Sequence, residues 1–269
     1  PFPVLFRILK YLLNALRTFD HNKFLYLNRH LARTERSMAL LGWNYRLDRA
    51  RLLRALHAVA TAAPWPEMRV RLDVLAAPAE ALGTTSRELI ALQPFTPPPP
   101  ELYAAGVTVD FAAGLARERP LAKTAEFAAQ RPATSGLRAL ESAAAGDQPY
   151  ELLLLDSAGR ILEGTGTNFW AVRDGTVYTA GENVLEGITR EILLQIIPSL
   201  GLPLRLEAVA AAGIGALDEA ALSGSSRAFL PVVSIAGQPV GDGRPGPVSR
   251  RILAAYNAFV AENIKTANP

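Results

Sequence analysis

Glu163-Gly164-Thr165-Gly166-Thr167-Asn168-Phe169-Trp170 places a carboxylate at the end of an apolar stretch, follows it with small hydroxyl-bearing turn residues, and resumes with an aromatic run. Gly187-Ile188-Thr189-Arg190 lies about one hairpin further on, and Lys123 lies upstream of both. Each group suits one chemical task. A primary amine forms a Schiff base with an aldehyde, and lysine is the side chain that supplies one. A carboxylate aimed at a pyridine-type nitrogen keeps it protonated, so that the ring draws electrons from a bonded substrate. A glycine and a threonine at a helix start leave backbone N–H groups open to a phosphate, with the helix dipole adding to the attraction. An aldehyde, a basic ring nitrogen and a phosphate tail together describe pyridoxal 5'-phosphate.

Lysine is scarce: Lys10, Lys23, Lys123 and Lys265. Lys10 and Lys265 lie near the termini and Lys23 in a turn, whereas Lys123 stands between Leu121-Ala122 and Ala125 at an expected domain boundary, where pockets form. Ser223-Gly224-Ser225-Ser226 is a second hydroxyl-rich turn able to hold an anion, and Arg33 offers a fixed positive charge. Arg69 and Arg71 share one face of a strand and are candidates for a substrate carboxylate. Taken singly, each has a plainer reading: a snorkelling surface lysine, a solvated strand-end glutamate, a helix cap, surface arginines on an exposed strand face.

The elements that must position these residues follow from pattern. Arg17 to Leu27 reads as two short strands around Asp20-His21-Asn22-Lys23. His30 to Leu41 has helical spacing, and Asp48 caps a second helix that Pro64 and Pro66 stop. Met68 to Leu75 alternates as a half-buried strand, Pro94 to Pro100 is a stiff loop, and Gly106 to Phe111 alternates again. Glu151 to Leu155 is a strand buried on both faces. A turn at Asp156 to Arg160 leads into Ile161-Leu162-Glu163. Asn168 to Val172 and Thr176 to Tyr178 form a hairpin about Asp174-Gly175. A helix runs from Gly187 to Pro198, Ala228 to Ile235 is a strand, and Val248 to Val260 is a closing helix. The expected division is a small domain over 1–114, a connection over 115–122 and a larger domain over 123–269.

Composition narrows the class. The 269 residues are 49% hydrophobic and 20% charged, enough for a packed core in one large or two ordinary domains. A formal charge of +3 is too weak and dispersed for nucleic acid. The absence of cysteine excludes disulfides, thiol nucleophiles and Cys-ligated metals, and three histidines, all in the first quarter, argue against a histidine zinc site. Pro1 to Leu16 is apolar with Arg7 and Lys10, but no small-residue cleavage site follows and it is too short to span a bilayer. It is expected to fold as a strand or helix of a soluble, cytoplasmic protein without membrane contact.

In order and spacing, these residues resemble the class IV aminotransferases, the fold-type IV pyridoxal-phosphate enzymes that include branched-chain and D-amino-acid aminotransferases and aminodeoxychorismate lyases. His30-Leu31-Ala32-Arg33 is similar to the early helix whose arginine contacts the cofactor phosphate, and Ala122-Lys123-Thr124 to the segment with the Schiff-base lysine. Leu155 through Gly164 and on to Asn168-Phe169 resembles the signature around the ring-nitrogen glutamate, here Glu163. Leu185-Glu186-Gly187-Ile188-Thr189-Arg190 resembles the phosphate-binding helix start, with the amides of Ile188 and Thr189 as donors, and Ser225 falls at a further phosphate-binding hydroxyl, beside Ser226. Two positions depart from the pattern. Leu13-Asn14 stands where the family has an aromatic–glutamate pair, and Phe127-Ala128 where branched-chain enzymes carry a tyrosine, so no branched-chain specificity is assigned.

The resemblance implies a two-domain α+β fold: a small N-terminal α/β domain and a larger C-terminal domain with a mixed, largely antiparallel sheet or barrel. It implies a homodimer. It also implies ping-pong transfer of an amino group between an amino acid and a 2-oxo acid, with Lys123 as acid/base and Glu163 on the ring nitrogen. A lyase on the same scaffold is the alternative, and a non-catalytic binding protein retaining the fold is a third reading.

Overall fold

The computed structural model describes residues 10–80, 83–130 and 148–267. The chain divides into two compact units. The first comprises Pro1–Thr96, Leu121–Gln130 and Val260–Pro269, and the second Pro97–Pro120 and Arg131–Phe259.

The first unit is an antiparallel sheet with helices on one face. Its strands are β1 (Tyr11–Phe19), β2 (Lys23–Leu25), β3 (Met68–Leu75) and β4 (Glu88–Pro94), and a terminal strand, Ile264–Thr266, adds to β2. β1 alternates strictly, burying Leu12, Asn14, Leu16 and Thr18. Helices α1 (Leu27–Leu40) and α2 (Arg49–Ala62) supply Leu31, Met38, Leu52 and Leu56 to the same core, against Met68, Val70, Leu72 and Val74 of β3. Burying each Leu or Met there contributes roughly 1.5–3 kcal/mol. The Asp48 side chain caps α2 as expected, accepting the Arg51 N–H at 3.0 Å.

β1 begins at Tyr11, earlier than the expected start at Arg17, and its first half has β3 on one side only. On the other edge the Leu13 N–H donates to the Lys123 carbonyl at 3.0 Å, and Leu12 bridges Thr124. This edge pairing draws Leu121–Gln130 into the first unit, whereas the sequence expectation began the larger domain at Lys123. Strand pairing across more than a hundred residues leaves no local trace in sequence, which is why the boundary shifts.

The second unit holds the short helix α3 (Pro100–Ala105), then β5 (Val107–Phe111), β6 (Glu151–Leu155), β7 (Ile161–Gly164), β8 (Asn168–Arg173) and β9 (Thr176–Tyr178). Helix α4 (Ile188–Ser199), β10 (Leu204–Arg205), β11 (Glu219–Gly224), β12 (Ala228–Ile235), β13 (Gln238–Pro239) and helix α5 (Pro247–Asn263) follow. Residue 100, expected in a loop, opens α3, because a proline's missing N–H costs nothing in the first helical turn. β8, β11, β12, β5, β6 and β7 pair in that order and β7 pairs back to β8, so the sheet closes on itself. Pairing is mainly antiparallel, with parallel steps at β12–β5, β5–β6 and β9–β10, matching the expected mixed sheet or barrel. Leu153, Ile161, Phe169, Leu222, Leu230 and Val232 fill its core. The Asp174-Gly175 turn takes positive φ at both residues (50° and 70°), the geometry that matches strand twist in a two-residue hairpin. Among the described residues no helix is long and apolar enough to cross a membrane.

Candidate functional site

The seam that closes the second unit's sheet is the pair Glu163–Asn168. Glu163, near the end of β7, is 2% exposed. Its Oε2 accepts the Leu185 N–H at 3.1 Å and Asn168 Nδ2 at 3.3 Å, and its Oε1 accepts Arg117 Nε at 2.8 Å. Asn168 Nδ2 also donates to the Leu185 carbonyl at 2.9 Å, so the amide ties the strand pair to the chain entering α4. Donors on both oxygens, one of them charged, fix the direction of the carboxylate.

Gly187 is the residue before α4, in an ordinary extended conformation (φ −67°, ψ 138°). Its need for glycine is steric: a Cβ there would stand 2.3 Å from Asn168 Oδ1. Close packing at that point brings the helix start against the Glu163–Asn168 pair. The first intrahelical bond runs from the Glu191 N–H to the Gly187 carbonyl, which leaves the amides of Ile188, Thr189 and Arg190 as the helix's terminal donors. Thr189 and Arg190 are buried. Arg190 donates from Nη2 to the Ala180 carbonyl at 2.7 Å, while its Nε is buried without a hydrogen-bond partner. Burial lowers the Arg190 pKa, against the pull of Glu186 and Glu163. Across the sheet Asn168 is registered with Ser223 of β11, and a Cβ on Gly224 would lie 3.8 Å from Thr167 and 4.0 Å from the Gly166 carbonyl. The turn carrying Ser225 and Ser226 is therefore packed beside the Gly164–Thr167 turn. The structure gathers Glu163, Asn168, Gly187, Ile188, Thr189, Ser225 and Ser226 into one region of the second unit.

The first unit carries a separate polar cluster. Asn14, on the buried face of β1, accepts Arg33 Nη2 at 3.0 Å and lies 3.1 Å from His30 Nδ1 through the same Oδ1; its Nδ2 donates to the His30 carbonyl and to Thr34 Oγ1 at 3.2 Å. Arg33 is 4% exposed and His30 2%. The His30 pKa falls well below its ordinary value, first through burial and then through the positive charges of Arg33 and Lys123, so the ring is neutral. Lys123 and Arg33 thus belong to one electrostatic neighbourhood. Arg69 and Arg71 lie on the opposite sheet face, in register with Arg17 and Ala15 of β1. Arg71 is paired with Asp73; burial pushes the Asp73 pKa up, against the opposing pull of that guanidinium.

Sequence pattern alone does not assign Asn14, Thr34 or Arg117 to these clusters. Asn14 departs from the family pattern, and a polar residue on the buried side of the Leu12–Thr18 alternation is a legible signal. Arg117 fell in an expected connection, and nothing near it in sequence points to Glu163. A phosphate-bearing pyridine fits what the second unit offers. A buried carboxylate suits the ring nitrogen. A helix start with terminal amides, two serines in an adjacent turn and an unpartnered buried guanidinium nitrogen suit the phosphate. Among the described residues no cluster of His, Asp or Glu is arranged to hold a metal.

The profile of the family described as amino-transferase class IV matches residues 12–235. The branched-chain-amino-acid aminotransferase of Escherichia coli strain K12 is 36% identical over 108 residues, 39% of this chain and 35% of that protein. The D-alanine aminotransferase of Staphylococcus haemolyticus is 34% identical over 102 residues, 37% of this chain and 36% of that protein. These alignments span about a third of the length of the curated relatives. Among solved structures, Escherichia coli branched-chain amino acid aminotransferase superposes with a TM-score of 0.79 at 21% identity, covering 97% of this chain and 90% of that one. The branched-chain aminotransferase of the thermophilic archaeon Thermoproteus uzoniensis, solved with norvaline, gives 0.77 at 22%, covering 96% and 90%. A further branched-chain amino acid aminotransferase, from T.th. and solved with pyridoxamine 5'-phosphate, gives 0.80 at 22%. The fold is that of these enzymes.

Proposed function

This chain belongs to the class IV aminotransferase family, and from that membership we propose that it is a pyridoxal-phosphate-dependent enzyme transferring an amino group between an amino acid and a 2-oxo acid. The observation that carries the reading is Glu163: a carboxylate 2% exposed, oriented by Asn168, Leu185 and Arg117 beside the start of α4. An enzyme that needs an acidic partner for a ring nitrogen has reason to bury and aim a carboxylate in this way. A scaffold protein would gain little from it.

Bound there, the cofactor supplies an aldehyde for the amine and a ring that takes up the electron pair released at the substrate Cα. Lys123 Nζ is the amine that would condense with the aldehyde, with loss of water, and, once freed by an incoming amino group, would carry the proton taken from the substrate Cα. Glu163 holds the proton on the ring nitrogen. The amides of Ile188 and Thr189 and the hydroxyls of Thr189, Ser225 and Ser226 would hold the phosphate, and Arg33 is a further candidate for that anion. Asn14 orients the Arg33 guanidinium, and Asn168 orients Glu163. Arg69 and Arg71 are the candidates for the substrate carboxylate, Arg71 by giving up its bond to Asp73.

Incubating the pyridoxal-phosphate-loaded protein with a panel of L- and D-amino acids, and 2-oxoglutarate or pyruvate as acceptor, tests the reading. The expected result is stoichiometric appearance of the new amino acid. Release of an aromatic amine and pyruvate from aminodeoxychorismate, with no transfer to any acceptor, would replace transamination by the lyase reaction.

A further inference from the structure

The two oxygens of Glu163 are used differently. Asn168 and the Leu185 amide, both parts of the scaffold, bond Oε2, whereas Arg117 bonds Oε1. The Arg117–Glu163 pair is buried, with side-chain exposures of 8% and 2%. A carboxylate buried this deeply without a counter-charge is strongly destabilising. Arg117 supplies that charge from residues 112–120, a stretch outside every helix and strand, so its withdrawal would break no ladder of backbone bonds.

A protonated pyridine nitrogen brings the same charge to the same carboxylate. Two cations sharing one buried carboxylate leave a net positive charge where the dielectric is low. A guanidinium that stayed on Oε1 would also weaken the hold of Glu163 on the ring proton. We propose that Arg117 is an exchangeable counter-ion: it neutralises Glu163 while the site lacks cofactor, and yields Oε1 to the protonated ring nitrogen on binding. This rests on the pyridoxal-phosphate reading above. No covalent change is involved, only the replacement of one N–H donor by another at Oε1.

Arg117→Met keeps the apolar stem and removes the charge. Without cofactor the variant should melt below cofactor-free wild type, whereas the two loaded proteins should melt together. The Kd for pyridoxal phosphate should fall roughly tenfold, because binding no longer has to break a charged hydrogen bond. A merely structural arginine would lower both melting temperatures and leave the affinity unchanged or weaker, and that result overturns the proposal. Should Arg117→Met not fold without cofactor, the double variant Arg117→Met/Glu163→Gln removes both charges of the pair. It should regain the melting temperature of cofactor-free wild type, and failure to do so also overturns the exchange. Wild-type protein that binds no pyridoxal phosphate would sink both this proposal and the function it rests on. Binding by wild type with no gain in the variant would sink this one alone.

Discussion

Three donors converge on Glu163, and Gln in its place keeps the shape while removing the charge. Loaded Glu163→Gln protein should remain folded and lose roughly 10²–10³ in kcat, the usual cost of deleting a preorganised electrostatic contact. An unchanged kcat would remove the role assigned to this residue. His30 makes a different kind of prediction. Its folded-state pKa lies well below the unfolded value, so between the two the unfolded chain binds a proton that the native one does not. Stability is therefore fully present above about pH 6.5 and is lost as pH falls toward the folded pKa. Melting temperatures followed from about pH 7.5 to about pH 5, a window that brackets the ordinary histidine value, should fall more steeply for wild type than for His30→Gln. Parallel curves would contradict a buried neutral ring. At this scale the sequence was legible where partners are near in the chain. Glu163 and Asn168 are five residues apart, and their signature was readable as a unit. Asn14 meets His30 across 16 residues and Arg117 meets Glu163 across 46, and such meetings are set by tertiary structure alone.

Among the elements, helix α4 shows most plainly how local sequence serves the site. Gly187 opens it because Asn168 leaves no room for a Cβ. In Gly187→Ala the backbone conformation is accessible, so the cost is steric, on the order of 1–3 kcal/mol as for other overpacking changes. The displaced Asn168 should loosen Glu163 and raise the Kd for pyridoxal phosphate, measured by fluorescence titration. A variant with wild-type affinity would show that this close approach has no bearing on the site. Strands with clear alternation, such as β3, and the Asp174-Gly175 hairpin were readable with nearly their observed bounds, because side-chain period and turn chemistry are local properties. The early start of β1, the opening of α3 at Pro100 and the β7–β8 pairing that closes the sheet were not readable. The first and last depend on which distant strand supplies an edge, and Pro100 signals a loop and a helix start equally well.

For the whole molecule, the sequence places the chain in the class IV aminotransferases, while the units divide the candidate site residues in a way the linear order hides. Lys123 counts with the strand-and-helix unit that holds Arg33, His30 and Asn14, and Glu163 and α4 count with the closed-sheet unit. The amino-transfer reading stands or falls on the lysine. Protein loaded with pyridoxal phosphate, reduced with borohydride and digested should yield a single phosphopyridoxyl-modified peptide, with the label on Lys123. Label on Lys10, Lys23 or Lys265 instead, or a Lys123→Ala protein that keeps a reducible visible chromophore and normal turnover, would contradict the account.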